Sequence, residues 1–232
     1  MESHGLPVLP GGPQVLSSSA DTLQLGQELC EEFKVNDEPI NDDSTTLNKF
    51  CSELELVLQH GQKDKTFLLN VSKGYWGYFC RCLAAEKNLK GYSALKYAKS
   101  LPELKTHVGR GRAVIRYCLV HQCLADTLQV CTLDEKTTSD HYHVWSLVRQ
   151  TDKLQALLSS LYELNSVSFD LAPSGNDLDA SWPVFARKVF EESWPTLSRC
   201  SSISSLSSIN SAHSQLDMAC ATSPVEEGST MD

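Results

Sequence analysis

The chain has 232 residues, a formal net charge of −9, 41% hydrophobic residues and nine cysteines. The acidic balance excludes a general nucleic-acid binder, which carries an excess of basic residues. No apolar run approaches the ~20 residues of a membrane span, and the first nineteen residues lack the charged-then-apolar pattern of a signal peptide, so the cytosol is the expected compartment.

In chain order, residues 1–20 mix Gly, Pro and Ser and read as a flexible leader. Leu25, Leu29 and Phe33 then recur at helical spacing, ended by Asn36-Asp37-Glu38-Pro39. The next stripe is the cleanest: Leu47, Phe50, Cys51, Leu54, Val57 and Leu58, with Ser44 as N-cap and Gly61 as terminator. An aromatic helix is predicted over Tyr75 to Glu86 and a further one over Ser93 to Lys99. One continuous helix is predicted from Arg112 to Cys131, with His121 inside its buried stripe. An amphipathic helix follows over Asp152 to Leu164. A last one, around Trp182, Phe185, Val189 and Phe190, tolerates Pro183 in its first turn.

Strand-like alternation is confined to residues 167–171, so the predicted class is all-α. The helical domain is expected over residues 21–192. Residues 193–232 form a Ser-rich tail, expected to be disordered because it cannot bury enough apolar area to offset the entropy of ordering. Cys51, Cys80, Cys118 and Cys123 sit at apolar helical positions, where a reduced thiol acts as a small hydrophobe.

Few residues suggest chemistry. No Cys stands beside a partner His in a nucleophilic frame, and no catalytic residue is assigned. Cys80/Cys82 and His141/His143 are the close pairs of metal-ligand type. Each is isolated: the cysteines diverge on a helix and the histidines are placed in a loop, so no metal or other cofactor is expected. The sequon Asn70-Val71-Ser72 matters only in a secreted protein. In the tail, Ser202 follows Arg199 by three residues and Ser223 precedes Pro224, which makes both phosphorylation candidates.

The most informative stretch is Val108-Gly109-Arg110-Gly111-Arg112-Ala113, running on through Arg116. Its glycines permit positive φ, so a sharp turn is predicted just before a helix starts. Arg112 and Arg116 are four apart and share a helix face. A phosphate-cradling loop would need a longer glycine loop ending in Lys-Ser/Thr, which is absent. Two readings stand: Arg110 or Arg112 locks helices together by bonding carboxylates or helix-end carbonyls, or Arg112 and Arg116, with Lys105 and Lys99 nearby, form a basic face for an acidic partner.

Several blocks resemble a RUN domain. Phe50 to Gln59 with Tyr75 to Phe79 resembles its first blocks, Gly109 to Ala113 its centre, and Leu161 to Leu164, Phe169 to Leu171 and Leu178 to Pro183 its close. Pro39 to Ser44 and Leu119 to Leu128 resemble the RUN region of autophagy adaptors with a coiled coil and a FYVE module, and of RUFY-type relatives. The resemblance implies a bundle of about eight helices and a non-enzymatic adaptor. Its expected partner is a small GTPase of the Rab, Rap or Arf-like class in its GTP form; Arg110, Arg112 and Arg116, with Lys105 at the rim, are the contact candidates, which the resemblance does not assign individually. It also implies peripheral recruitment to late endosomes, lysosomes or autophagosomes and a link to kinesin transport. The alternative is a nucleotide-independent scaffold for a motor or cytoskeletal protein. Because the sequence carries neither sustained heptads nor paired Cys-x-x-Cys motifs, a further expectation is a short adaptor, a competitor of longer RUN-FYVE proteins, or a truncated product.

Overall fold

The computed structural model describes residues 13–63, 74–87 and 89–183, all within one unit spanning Met1–Trp194. Helix α1, Pro13–Asn36, starts inside the stretch expected as a leader. It ends where expected: Asp37 takes φ 51 and its N–H bonds the Phe33 carbonyl at 2.9 Å. Strand β1, Ile40–Asn41, follows, and then α2, Thr45–Gln59, begins on its predicted cap, with Ser44 Oγ accepting from the Leu47 N–H at 3.2 Å. Leu47, Phe50, Leu54, Val57 and Leu58 are buried, as their spacing requires. Gly61 has φ +70, and a Cβ there would meet Ser146 Cβ at 2.5 Å, so both conformation and space demand glycine.

Helix α3, Gly74–Leu83, is buried on nearly every side, through Tyr75, Trp76, Tyr78, Phe79, Cys82 and Leu83. A helix apolar all round belongs at the centre of a bundle, and α3 contacts α2, α4 (Lys90–Ser100), α5 (His107–Val120), α6 (Leu124–Leu133) and α7 (Glu135–His141). Helix α8, Thr151–Glu163, packs on α1 and α6. Strand β2, Phe169–Asp170, pairs in parallel with β1 in the register Ile40–Phe169 and Asn41–Asp170. The all-α bundle with eight α-helices is thus the fold of the described residues, with a two-strand clasp joining its ends.

Three local expectations are corrected. The predicted continuous helix from Arg112 to Cys131 is two helices, α5 and α6. Gln122 adopts φ 52 between them and the Cys123 N–H bonds the Cys118 carbonyl at 2.9 Å. His121 therefore leaves the buried stripe and becomes the exposed C-cap of α5. His141 is in no loop: it ends α7, whose start is capped by Asp134 Oδ1 accepting from the Thr137 N–H at 3.0 Å. The third correction concerns the glycines of the knuckle, described below.

Cys51, Cys118 and Cys123 are buried free thiols, and Cys80 is half-buried. Burial pushes the Cys51 thiol up to about 12. No described helix is long and apolar enough to cross a membrane. The closing helix beyond Pro183, the sequon Asn70-Val71-Ser72, the serine tail and its candidates Ser202 and Ser223 lie outside the described residues.

Candidate functional site

Gly109 and Gly111 lie inside α5, not in a turn before it, and neither is among the glycines of positive φ. Space, not conformation, requires them. A Cβ on Gly109 would sit 2.0 Å from Asp179 Oδ1, and one on Gly111 would sit 2.3 Å from Tyr75 Cε2. The first glycine lets a distant carboxylate reach the helix end; the second lets α5 close on α3.

That carboxylate clasps the start of α5. Asp179 accepts from the Lys105 N–H at 2.8 Å, the Thr106 N–H at 3.1 Å and the Thr106 hydroxyl at 2.6 Å. Thr106 Oγ1 in turn accepts from the Gly109 N–H at 2.9 Å, capping a helix end whose first N–H groups have no intrahelical partner. Partial burial would raise the Asp179 carboxyl. The donors from Thr106 and Lys105, with the nearby Arg110 charge, outweigh it and hold the group below its ordinary value.

One turn on, Arg112 enters a buried hub built on Glu55. Arg112 Nε donates to both Glu55 oxygens at 3.2 and 3.0 Å, and Nη1 donates to the Leu178 carbonyl at 2.9 Å. Glu55 also accepts from the Tyr75 hydroxyl at 2.8 Å and the Trp182 indole N–H at 2.9 Å. The guanidinium carbon lies 5.6 Å from the centre of the Trp182 ring, within cation–π range. Donors from Arg112, Tyr75 and Trp182 converge on Glu55, so a buried carboxylate is satisfied where an isolated one would be costly. Burial next to that carboxylate drives the Tyr75 hydroxyl well above its ordinary range.

Another turn on, Arg116 forms a second pair. Its Nη1 and Nη2 donate to the two oxygens of Asp42, and Nη2 also donates to the Ala172 carbonyl at 2.7 Å. The Ala172 N–H returns a bond to Asp42 at 2.9 Å. Burial would raise the Asp42 carboxyl; the bonds and charge of Arg116, with Ala172 and Asn176, prevail and hold it below its ordinary value. Both arginine–carboxylate pairs are largely dry, with side-chain exposures of 13% and 7% for Arg112 and Glu55, and 8% and 10% for Arg116 and Asp42.

The helix face shared by Arg112 and Arg116 is therefore an internal seam, which favours the lock over the basic face for these two residues. Arg110 is half-buried, with Nη2 donating to the Leu104 carbonyl at 3.3 Å; Lys105 is exposed. The candidates thus divide into a pair that holds the bundle and a pair near its surface at the start of α5. Among the described residues no group of His, Cys, Asp and Glu is placed to hold a metal. His141 meets Arg81 through Nδ1 at 3.0 Å, and His143 stacks on Trp145 at 5.2 Å.

Asp42, Glu55, Tyr75 and Asp179 were not singled out by motif reasoning. Glu55 carried a readable sign: it stands four residues after Cys51 and three before Leu58, on the border of the buried stripe of α2. Asp42, Glu55, Tyr75, Arg112, Asp179 and Trp182 come from sequence blocks 39–44, 50–59, 75–79, 109–113 and 178–183, which the fold draws together around α5. Those separate blocks are one network in space.

The sequence profile of the RUN domain matches residues 49–175, which contain α3 to α8 and both arginines. Mouse FYVE and coiled-coil domain-containing protein 1 is 46% identical over 209 residues, covering 86% of this chain and 14% of that protein. The human protein of the same name is 49% identical over 184 residues, covering 77% of this chain and 12% of its own length. Human RUN and FYVE domain-containing protein 4 is 36% identical over 164 residues, covering 71% of this chain and 27% of that protein. The chain spans only a small part of the length of these relatives. The chain belongs to the RUN domain family.

Proposed function

We propose that this domain is a non-enzymatic adaptor module that docks a small GTPase of the Rab, Rap or Arf-like class in its GTP form. The single observation that supports this most is the RUN match across the bundle, with two exposed or half-exposed cations, Lys105 and Arg110, at the clasped start of α5. A 470 Å³ groove at the first turn of α5, lined by Gln59, Gln62, Trp76, His107 and Val108, offers mixed polar and apolar contacts. A GTPase orders its switch segments only with the γ-phosphate present, so a surface that touches those segments selects the GTP form without any chemistry of its own. Lys105 and Arg110 are the direct-contact candidates; Arg112 and Arg116 act indirectly, by fixing α5. Recruitment to late endosomes, lysosomes or autophagosomes, and coupling to kinesin transport, would follow from the GTPase and from further partners. Phosphorylation of Ser202 or Ser223 would tune that recruitment by adding charge to the tail.

The test is a pull-down against a panel of GTPases loaded with GTP analogue or GDP. Lys105→Glu with Arg110→Glu should abolish GTP-dependent capture; because Arg110 also steadies the Asp179 clasp, melts of this protein and of Arg110→Gln separate lost contact from lost folding. Arg112→Lys should weaken capture only in proportion to lost folding. Unchanged capture by the Lys105→Glu, Arg110→Glu protein would remove this surface.

A further inference from the structure

The charge of this acidic chain is unevenly placed. Residues 87–121 hold eight of its 20 Lys and Arg but one of its 29 Asp and Glu, Glu103. Two of the eight, Arg112 and Arg116, are neutralised inside the bundle. Lys87, Lys90, Lys96 and Lys99 are exposed on and beside α4, whose sequence has no acidic residue. Such a local positive surface on a negative body attracts acidic partners selectively.

Beside it lies a groove of 260 Å³ between α4, the second half of α5 and the loop after β2. Its walls are mostly apolar: Tyr97, Tyr117, Val120, Leu171 and Pro173. The Tyr97 and Tyr117 rings stand 5.2 Å apart, Tyr117 meets His121 at 4.0 Å, and the Tyr97 hydroxyl holds the far wall by donating to the Pro173 carbonyl at 2.6 Å. The groove is therefore already built. Val120 is 38% exposed at its lip. Its volume is below the about 300–1,000 Å³ that houses a drug-sized molecule and suits one large side chain. One end carries Lys90, whose Nζ donates to the His121 carbonyl at 3.2 Å; Glu103 lies close enough to Tyr97 to affect its hydroxyl.

We propose that this groove binds a linear acidic segment of a partner protein, through one aromatic anchor in the groove and carboxylates running toward Lys90 and Lys96. Glu103 disfavours the opposite direction, so the segment has a defined polarity. This surface goes beyond the proposed GTPase contact. Val120 is ten residues from Arg110 along α5, about 15 Å at 1.5 Å per residue, so the lip of the groove and the GTPase candidates are separate points on α5.

The probe is a short fluorescein-labelled peptide in which a single tryptophan follows a run of glutamates, titrated by anisotropy against the full chain. Saturable binding is expected, weakened at least about tenfold by Trp→Ala in the peptide, by Glu→Lys in the peptide, and by Val120→Glu or Lys90→Glu in the domain. Val120→Glu and Lys90→Glu change exposed side chains, and their melts establish that loss of binding is not loss of folding. GTPase capture by Val120→Glu should be unchanged. Absence of saturable binding, or equal binding by Val120→Glu and wild type, overturns the proposal. Loss of both peptide and GTPase by a folded Val120→Glu overturns the claim of two surfaces.

Discussion

Removing Asp42 tests the lock at its driest point. In Asp42→Ala, Arg116 keeps only the Ala172 carbonyl at 2.7 Å, in a residue 6% exposed, and the Ala172 N–H loses its acceptor. Breaking one side of a buried pair costs about 3–5 kcal/mol. For a domain of this size 1 kcal/mol shifts the melting temperature by about 2–4 °C, so Asp42→Ala should melt about 6–20 °C below wild type. Arg116→Met leaves the carboxylate unpaired and should cost a similar amount. The double variant leaves no buried charge and should recover much of the loss, giving a coupling of at least about 2 kcal/mol by urea titration. Single losses that add to within about 0.5 kcal/mol would show that the pair does no joint work, and the lock would be refuted.

The pH dependence follows from the same pair. Asp42 titrates below its unfolded value of about 3.9, so its stabilisation is complete above that pH and is lost as pH falls through the lower folded value. Wild type should lose stability in that acidic window, and the Asp42→Ala, Arg116→Met protein should lack that part of the loss in acid melts. Glu55→Gln places an amide among donors from Arg112, Tyr75 and Trp182. It should cost about 1.5–3 kcal/mol or more and shift the tryptophan emission. Gly111→Ala should destabilise through its clash with Tyr75, whereas Gly175→Ala, with φ +91 and open space, should cost only backbone strain; parallel melts decide. In a Cys200→Ser, Cys220→Ser background, Cys80 should label first with a thiol reagent and the buried Cys51 only on denaturation, read by peptide mapping.

Much of this was legible because some elements carry every local signal at once. Helix α2 has a Ser cap, a continuous stripe and a glycine that must be glycine, and it lies where its pattern puts it. The break between α5 and α6 was not legible because Gln122 turns the chain with no glycine or proline to mark it. Helix α7 is short and polar, held by the Asp134 cap and by the burial of Thr138 and His141, none of which makes a stripe. The knuckle was visible as a pattern but its geometry was not. Its glycines answer to Asp179 and Tyr75, which are far away in sequence, and spacing along one helix carries no information about what packs against it. For the same reason Arg112 and Arg116 showed a shared face without showing that the face points inward.

The most direct measurement is calorimetric titration of the folded domain with Rab, Rap and Arf-like GTPases, each loaded with a non-hydrolysable GTP analogue or with GDP. Binding of at least one GTPase in its GTP form, at least about tenfold tighter than in its GDP form and lost in folded Lys105→Glu, Arg110→Glu, is the expected result. Equal affinity in both nucleotide states, or no binding across the panel, would contradict an effector role for this RUN domain.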